Sequence, residues 1–85
     1  MSDSYEEISD EQLDIQDDLE MLRDVLSSEL QAINQYEEHV LYLEDEAAAS
    51  AVEQIIEQEK EHVAQLLKVI QNLDPVQAEK LRKIL

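Results

Sequence analysis

The chain has no cysteine, no glycine, no tryptophan and no phenylalanine, and a single proline. Without cysteine there is no disulfide, no zinc ribbon, no iron-sulfur cluster and no thiol nucleophile. Without glycine there is no Gly-rich phosphate loop, no nucleophile elbow and little scope for tight hairpin turns, because these need a residue that takes positive φ at small cost. No apolar run comes near the roughly 18–20 residues of a membrane span, and no signal peptide is visible. An all-helical, soluble protein is expected. Its 85 residues make one domain at most, and a chain of that size buries only about 60–65% of its unfolded surface, so it needs a staple or a partner.

Basic residues are also scarce: 6 against 22 acids, for a net charge of −16. The imbalance is uneven. Residues 1–59 hold 19 acids and one base, Arg23, whereas residues 60–85 hold three acids and five bases. Such a field repels nucleic acid and anionic membrane and attracts cations or basic partners.

The Ser- and acid-rich residues 1–8 lack a sustained period and read as a flexible acidic tail. Residues 9–85 form the single domain. Ser9-Asp10-Glu11-Gln12 fits a capping box that opens a first helix. Its apolar stripe runs Ile15, Leu19, Leu22, Leu26, Ile33, Tyr36, Val40, Leu43, and the helix is expected to end near Glu44. Asp45 can cap a second helix, and Ser50 with Glu53 offers a later start. The second stripe runs Ala48, Val52, Ile55, Glu59, His62, Leu66, Val69, Leu73, flanked by Ile56, Val63, Leu67 and Ile70. That face is wider than one partner helix needs, which points to further chains. Asp74-Pro75 ends it and starts a short third helix whose Lys80, Arg82 and Lys83 suit the negative end of a helix dipole.

Three ionisable residues interrupt the two stripes: Glu29 in the first, Glu59 and His62 in the second. An unpaired carboxylate in an apolar seam costs several kcal/mol, so each needs compensation. With the turn centred between Glu44 and Asp45, Glu29 faces position 60, the level that Glu59 and His62 bracket. Spaced i, i+3, those two share a helix face. Oxygen and nitrogen donors of this kind suit divalent iron or manganese. A four-helix di-iron carboxylate bundle takes a Glu from each of two helices and a Glu-x-x-His from each of the other two. This chain supplies one of each, so two copies about a two-fold axis complete the set and cover each other's apolar faces.

Glu29-Leu-Gln-Ala-Ile-Asn-Gln-Tyr36, followed by Glu59-Lys60-Glu61-His62, resembles the encapsulated ferritins, half-length members of the ferritin-like superfamily. The resemblance covers roughly residues 20–85. It implies an antiparallel two-helix protomer, a di-iron site at a dimer interface, and assembly of dimers into a larger ring, a decamer by the family's example. It also implies that Glu29 and Glu59 are carboxylate ligands, His62 the nitrogen ligand and Tyr36 a hydrogen-bond partner behind them. The activity implied is that of a ferroxidase in iron storage or detoxification, cytoplasmic and housed in an encapsulin shell. Two features depart from the family. No shell-targeting peptide is visible after the third helix, and the family's acidic metal-entry positions beside the first ligand are Ser28 and Gln31 here.

Other readings of the same residues are blander. Glu29, Glu59 and His62 as a polar layer would fix bundle register, although no Lys or Arg faces them at that level and Lys60 is expected to point away. Tyr36 as core with a satisfied hydroxyl needs no metal. His39 reads as a flank residue, and Tyr42, Glu37, Glu38, Glu53 and Glu57 as a solvated face. At the level of function, the rivals to a ferroxidase are a non-enzymatic acidic helical oligomerisation module and a di-iron or di-manganese peroxidase on the same scaffold.

Overall fold

A computed structural model describes residues 9–85; the expected tail at residues 1–8 lies outside them. Three helices follow in order, α1 (Asp10–Val40), α2 (Glu46–Leu73) and α3 (Pro75–Ile84), with no strand among the described residues. The two long helices pack against each other as a hairpin, and α3 packs on α2 alone.

Local chemistry sets the ends. At the start of α1 the Ser9 hydroxyl accepts from the Gln12 amide at 3.1 Å and the Gln12 side chain accepts from the Ser9 amide at 2.9 Å, the reciprocal capping box that the spacing predicts. Helix α1 stops at Val40, four residues before the expected end at Glu44. There the amides of Leu41, Tyr42 and Leu43 donate to the carbonyls of Glu38, His39 and Val40 at 3.3, 3.0 and 3.4 Å. These i→i−3 bonds tighten the last turn and let the chain reverse without glycine. Of the two starts offered for α2, the earlier is used, with Asp45 accepting from the Ala48 amide at 2.8 Å. Asp74 caps α3 by accepting from the Gln77 amide at 3.1 Å, with Pro75 in the first turn.

Along α2 the buried positions correct the expected core. Ile56 and Ile70, read from sequence as flanks, are the buried residues, while Ile55 and Val69 from the expected stripe are each 42% exposed. Three parallel lines of heptad spacing explain this. Ile56, Val63 and Ile70 face α1; Val52, Glu59, Leu66 and Leu73 lie half-buried beside them; Ile55, His62 and Val69 face outward. The apolar arc is wide, and one hairpin partner covers only its inner edge. On α1 the matching inner line holds Leu19 and Ile33, both buried, and the next line holds Ile15, Leu22, Glu29 and Tyr36, all half-buried.

One edge of the hairpin is closed. Arg23 Nη2 lies 2.9 Å from Asp74 Oδ2, and Lys60 Nζ lies 3.1 Å from Glu37 Oε2. Leu30 and Leu67 stand midway, seven residues from each pair, so ion pair, leucines and ion pair repeat along this edge. The opposite edge, where Val25, Ile55 and Val69 are exposed, has no Lys or Arg ion pair among the described residues. The chain is also extended: its radius of gyration is 18.4 Å, against about 12 Å for a compact domain of this length. Its accessible surface is 6947 Å², against about 5,200 Å² for a compact monomer of the same mass. The surplus exceeds the roughly 800 Å² per partner of a stable interface.

Candidate metal centre

Midway along the unclamped edge, Glu29 from α1 meets Glu59 and His62 from α2. Each is held by the heptad lines that set the fold. Glu29 lies between Leu22 and Tyr36 on its line, Glu59 between Val52 and Leu66, and His62 between Ile55 and Val69. Packing of the half-buried Leu22, Tyr36, Val52 and Leu66 fixes the backbone from which Glu29 and Glu59 project. The register expected from sequence, with Glu29 facing position 60, is the one observed.

His62 Nδ1 is 3.6 Å from Glu29 Oε2 and 3.6 Å from Glu59 Oε1. Both separations are too long for a hydrogen bond. One donor atom from each of the three residues lies within 4.8 Å of the others. A first-row divalent ion such as zinc holds nitrogen and carboxylate oxygen at about 2.0–2.2 Å, so two of its ligands stand at most roughly 4.4 Å apart. The 3.6 Å contacts fit inside that shell, and a small rotation of the carboxylates closes the rest. No Lys or Arg forms an ion pair with either carboxylate among the described residues.

The electrostatic balance favours an added cation. Glu29 Oε2 is buried and has no hydrogen-bond partner, a state that costs about 1–3 kcal/mol for a neutral group and more for a charged one. A register layer of the bland kind would satisfy that oxygen with a donor; this one leaves it facing an imidazole and a second carboxylate. Exposure is graded across the group: the Glu59 and Glu29 side chains are 18% and 24% exposed, His62 49%. The donors therefore converge under the surface and open on one side, toward the uncovered face.

Tyr36 is half-buried one heptad beyond Glu29 on the same line, about 10 Å along the axis, and is not among the converging residues. His39 and Tyr42 are exposed, as are Glu37, Glu38, Glu53 and Glu57. Lys60 points away from the centre, as expected, and holds Glu37 on the clamped edge. The two cross-helix ion pairs were not foreseen from sequence. The usable signal was the matching heptad spacing of Arg23 with Glu37 and of Lys60 with Asp74.

No protein-family model matches the chain, and no solved structure matches it. Over 64 residues the chain is 38% identical to a ferritin-like-encapsulin shell fusion protein of Pyrococcus furiosus. That stretch is 75% of this chain and 19% of the relative, so the chain spans about a fifth of the relative's length. The similarity agrees with the ferritin-like resemblance of the Glu29 to His62 region. No helix among the described residues is long and apolar enough to cross a membrane.

Proposed function

We propose that the chain is one half of a ferroxidase, with Fe(II) as substrate and O2 as oxidant. The observation that carries this reading is the convergence of Glu29, Glu59 and His62 around a gap, with a buried, unpartnered carboxylate oxygen at its edge. The open face beside it supports a two-fold pairing. A second copy brings a second set of the same three ligands, for four carboxylates and two imidazoles, the complement of a di-iron carboxylate bundle. In each copy Glu59 and His62 would hold a metal, and Glu29, with its unpartnered carboxylate oxygen, would supply the remaining negative ligand.

The chemistry follows from the ligands. Carboxylates stabilise Fe(III) over Fe(II), and two irons held side by side each give one electron to O2, which is reduced to the peroxide level; a further pair takes it to water. Tyr36, on the same line as Glu29, would meet the partner's half of such an interface and orient a ligand there. An open two-helix hairpin cannot enclose a mineral, so storage requires a surrounding container. The Pyrococcus relative is named as a ferritin-like chain joined to an encapsulin shell, and we infer a cytoplasmic encapsulin-type shell, with dimers grouped into a larger ring, as the setting here.

Aerobic titration with Fe(II), followed by near-ultraviolet ferric absorbance, tests the proposal. Saturation at two irons per dimer is expected before turnover, lost in Glu59→Ala and His62→Ala. Iron oxidation no faster than in buffer, or variants equal to wild type, would leave only an acidic oligomerisation module. Faster turnover with peroxide than with O2 would make the protein a peroxidase.

A further inference from the structure

At the end of the hairpin away from its tip, two helical segments of the same chain stand side by side without touching. Helix α3 meets α2 alone and makes no contact with α1. None of its residues is buried, and Val76 and Ile84 are 67% and 80% exposed. A helix of ten residues draws most of its stability from packing an amphipathic face, and α3 has little of that packing.

The start of α1 is equally bare. Arg23 pairs with Asp74 at the α2–α3 corner, and α1 begins 13 residues earlier, at Asp10. About 20 Å of α1 therefore runs past the end of α2, beside the roughly 15 Å length of α3. Between overhang and corner lies an open cleft of about 600 Å³, lined by the apolar Ile15, Leu19 and Leu73 and the polar Gln12, Gln16 and Glu20.

Charge and register match the two segments. From Asp10 to Leu22 the overhang carries six acids and no base, whereas α3 carries Lys80, Arg82 and Lys83 against one acid. Among the described residues no cation pairs with Asp14 or Asp17, none of the carboxylates pairs with Lys80, and Lys83 pairs only with Glu79 of its own helix. Arg23 with Asp74 and Glu37 with Lys60 fix an antiparallel register. One heptad beyond Arg23 and Asp74, the next step of the clamped edge would join Gln16 to Leu81. The same register sets Ala78 level with Leu19, Lys80 with Asp17 and Lys83 with Asp14.

A hinge is present as well. Asp74 alone separates α2 from α3 and has extended backbone angles, φ −124° and ψ 90°. Its Oδ1 accepts from the Gln77 amide while its Oδ2 pairs with Arg23, so α3 can change direction there without losing its cap.

We propose that α3 is a hinged strap that closes over the overhanging start of α1, seating Ala78 and Leu81 on Ile15 and Leu19 and setting Lys80 and Lys83 against Asp17 and Asp14. Closed, the strap fills the cleft and holds the turns of α1 that α2 is too short to reach. Its hold is partly electrostatic, so it loosens as salt rises. Gln16 lies 13 residues from Glu29, about 20 Å along the axis, and the strap does not depend on the metal centre.

The absence of cysteine allows the closed form to be trapped. In the full chain, Gln16→Cys/Leu81→Cys is treated with oxidised glutathione at low salt, then denatured and weighed. A disulfide needs Cα atoms about 4.4–6.8 Å apart, closer than any approach of α1 to α3 in the open form. The expected product is a disulfide within one chain, of monomer mass, formed more slowly at high salt. Since these substitutions touch the contact itself, a second measurement uses Lys80→Gln/Lys83→Gln: amides of residues 13–19 should exchange severalfold faster than in the wild type at low salt, with the difference shrinking as salt is added. A double-cysteine chain that stays reduced or links only between chains, or exchange equal to wild type at low salt, overturns the strap.

Discussion

At the scale of single residues, the buried Oε2 of Glu29 is the clearest conflict between stability and function. A carboxylate held in that state is destabilising to a metal-free hairpin, and an apolar side chain of similar length fits the seam better. Glu29→Leu is therefore expected to raise the stability of the metal-free chain by about 1 kcal/mol, read as a higher urea midpoint in the presence of chelator. The same change should abolish Fe(II) binding. A register role predicts the opposite pattern, lower stability with or without metal. Tyr36→Phe is a milder probe: loss of the hydroxyl should slow iron oxidation severalfold while the binding stoichiometry stays the same, measured by stopped-flow absorbance beside a binding titration. The convergence of Glu29, Glu59 and His62 was legible in the sequence because they break an otherwise apolar stripe at one predicted level. The unsatisfied oxygen was not, since it depends on how the Glu29 rotamer meets the α2 surface.

At the scale of helices, the caps were legible and the faces only partly so. Ser9, Asp45 and Asp74 act through neighbours three residues away, and such short spacings are written in the sequence itself. Which part of a wide apolar arc turns inward is a property of two packed helices, and by periodicity alone the stripe that contains Ile55 and Val69 reads as core where Ile56 and Ile70 hold that place. The two lines should respond differently to truncation. Ile70, 3% exposed, packs inside one hairpin, and Ile70→Ala is expected to cost about 2–4 kcal/mol at every protein concentration. Val69→Ala removes an outward side chain, so its effect should be seen mainly as weaker dimerisation in sedimentation equilibrium. Equal loss of monomer stability in both variants would contradict the division into inner and outer lines. Arg23 and Lys60 matter less, because exposed ion pairs contribute at most about 1 kcal/mol.

At the scale of the whole molecule, an extended shape and a charge of −16 act together. The surface that one hairpin leaves open is enough for an interface, but bringing two such chains together costs electrostatic work that salt reduces. On the proposed reading, metal bound at a shared centre would offset the remainder, since two Fe(II) ions would add positive charge where Glu29 and Glu59 of the two copies repel. Three linked dependences follow for the thermal midpoint. It should rise with protein concentration, because the folded dimer is favoured by mass action. It should rise with sodium chloride in the metal-free protein, as screening relieves the acidic surface. It should rise further with a divalent ion that air oxidises less readily than Fe(II), such as Mn(II), which adds about 2.7 kcal/mol of stability per site at a hundredfold excess over the dissociation constant, and this last increment should vanish in His62→Ala while the salt dependence persists. Calorimetry across concentration, salt and Mn(II) separates the three terms. A midpoint insensitive to concentration would mean that the hairpin is stable alone, and an Mn(II) increment retained in His62→Ala would place the cation elsewhere on the acidic surface. The chain's length raises the expectation of a partner, but which face such a partner would cover is legible only once the clamped and open edges of the hairpin can be told apart.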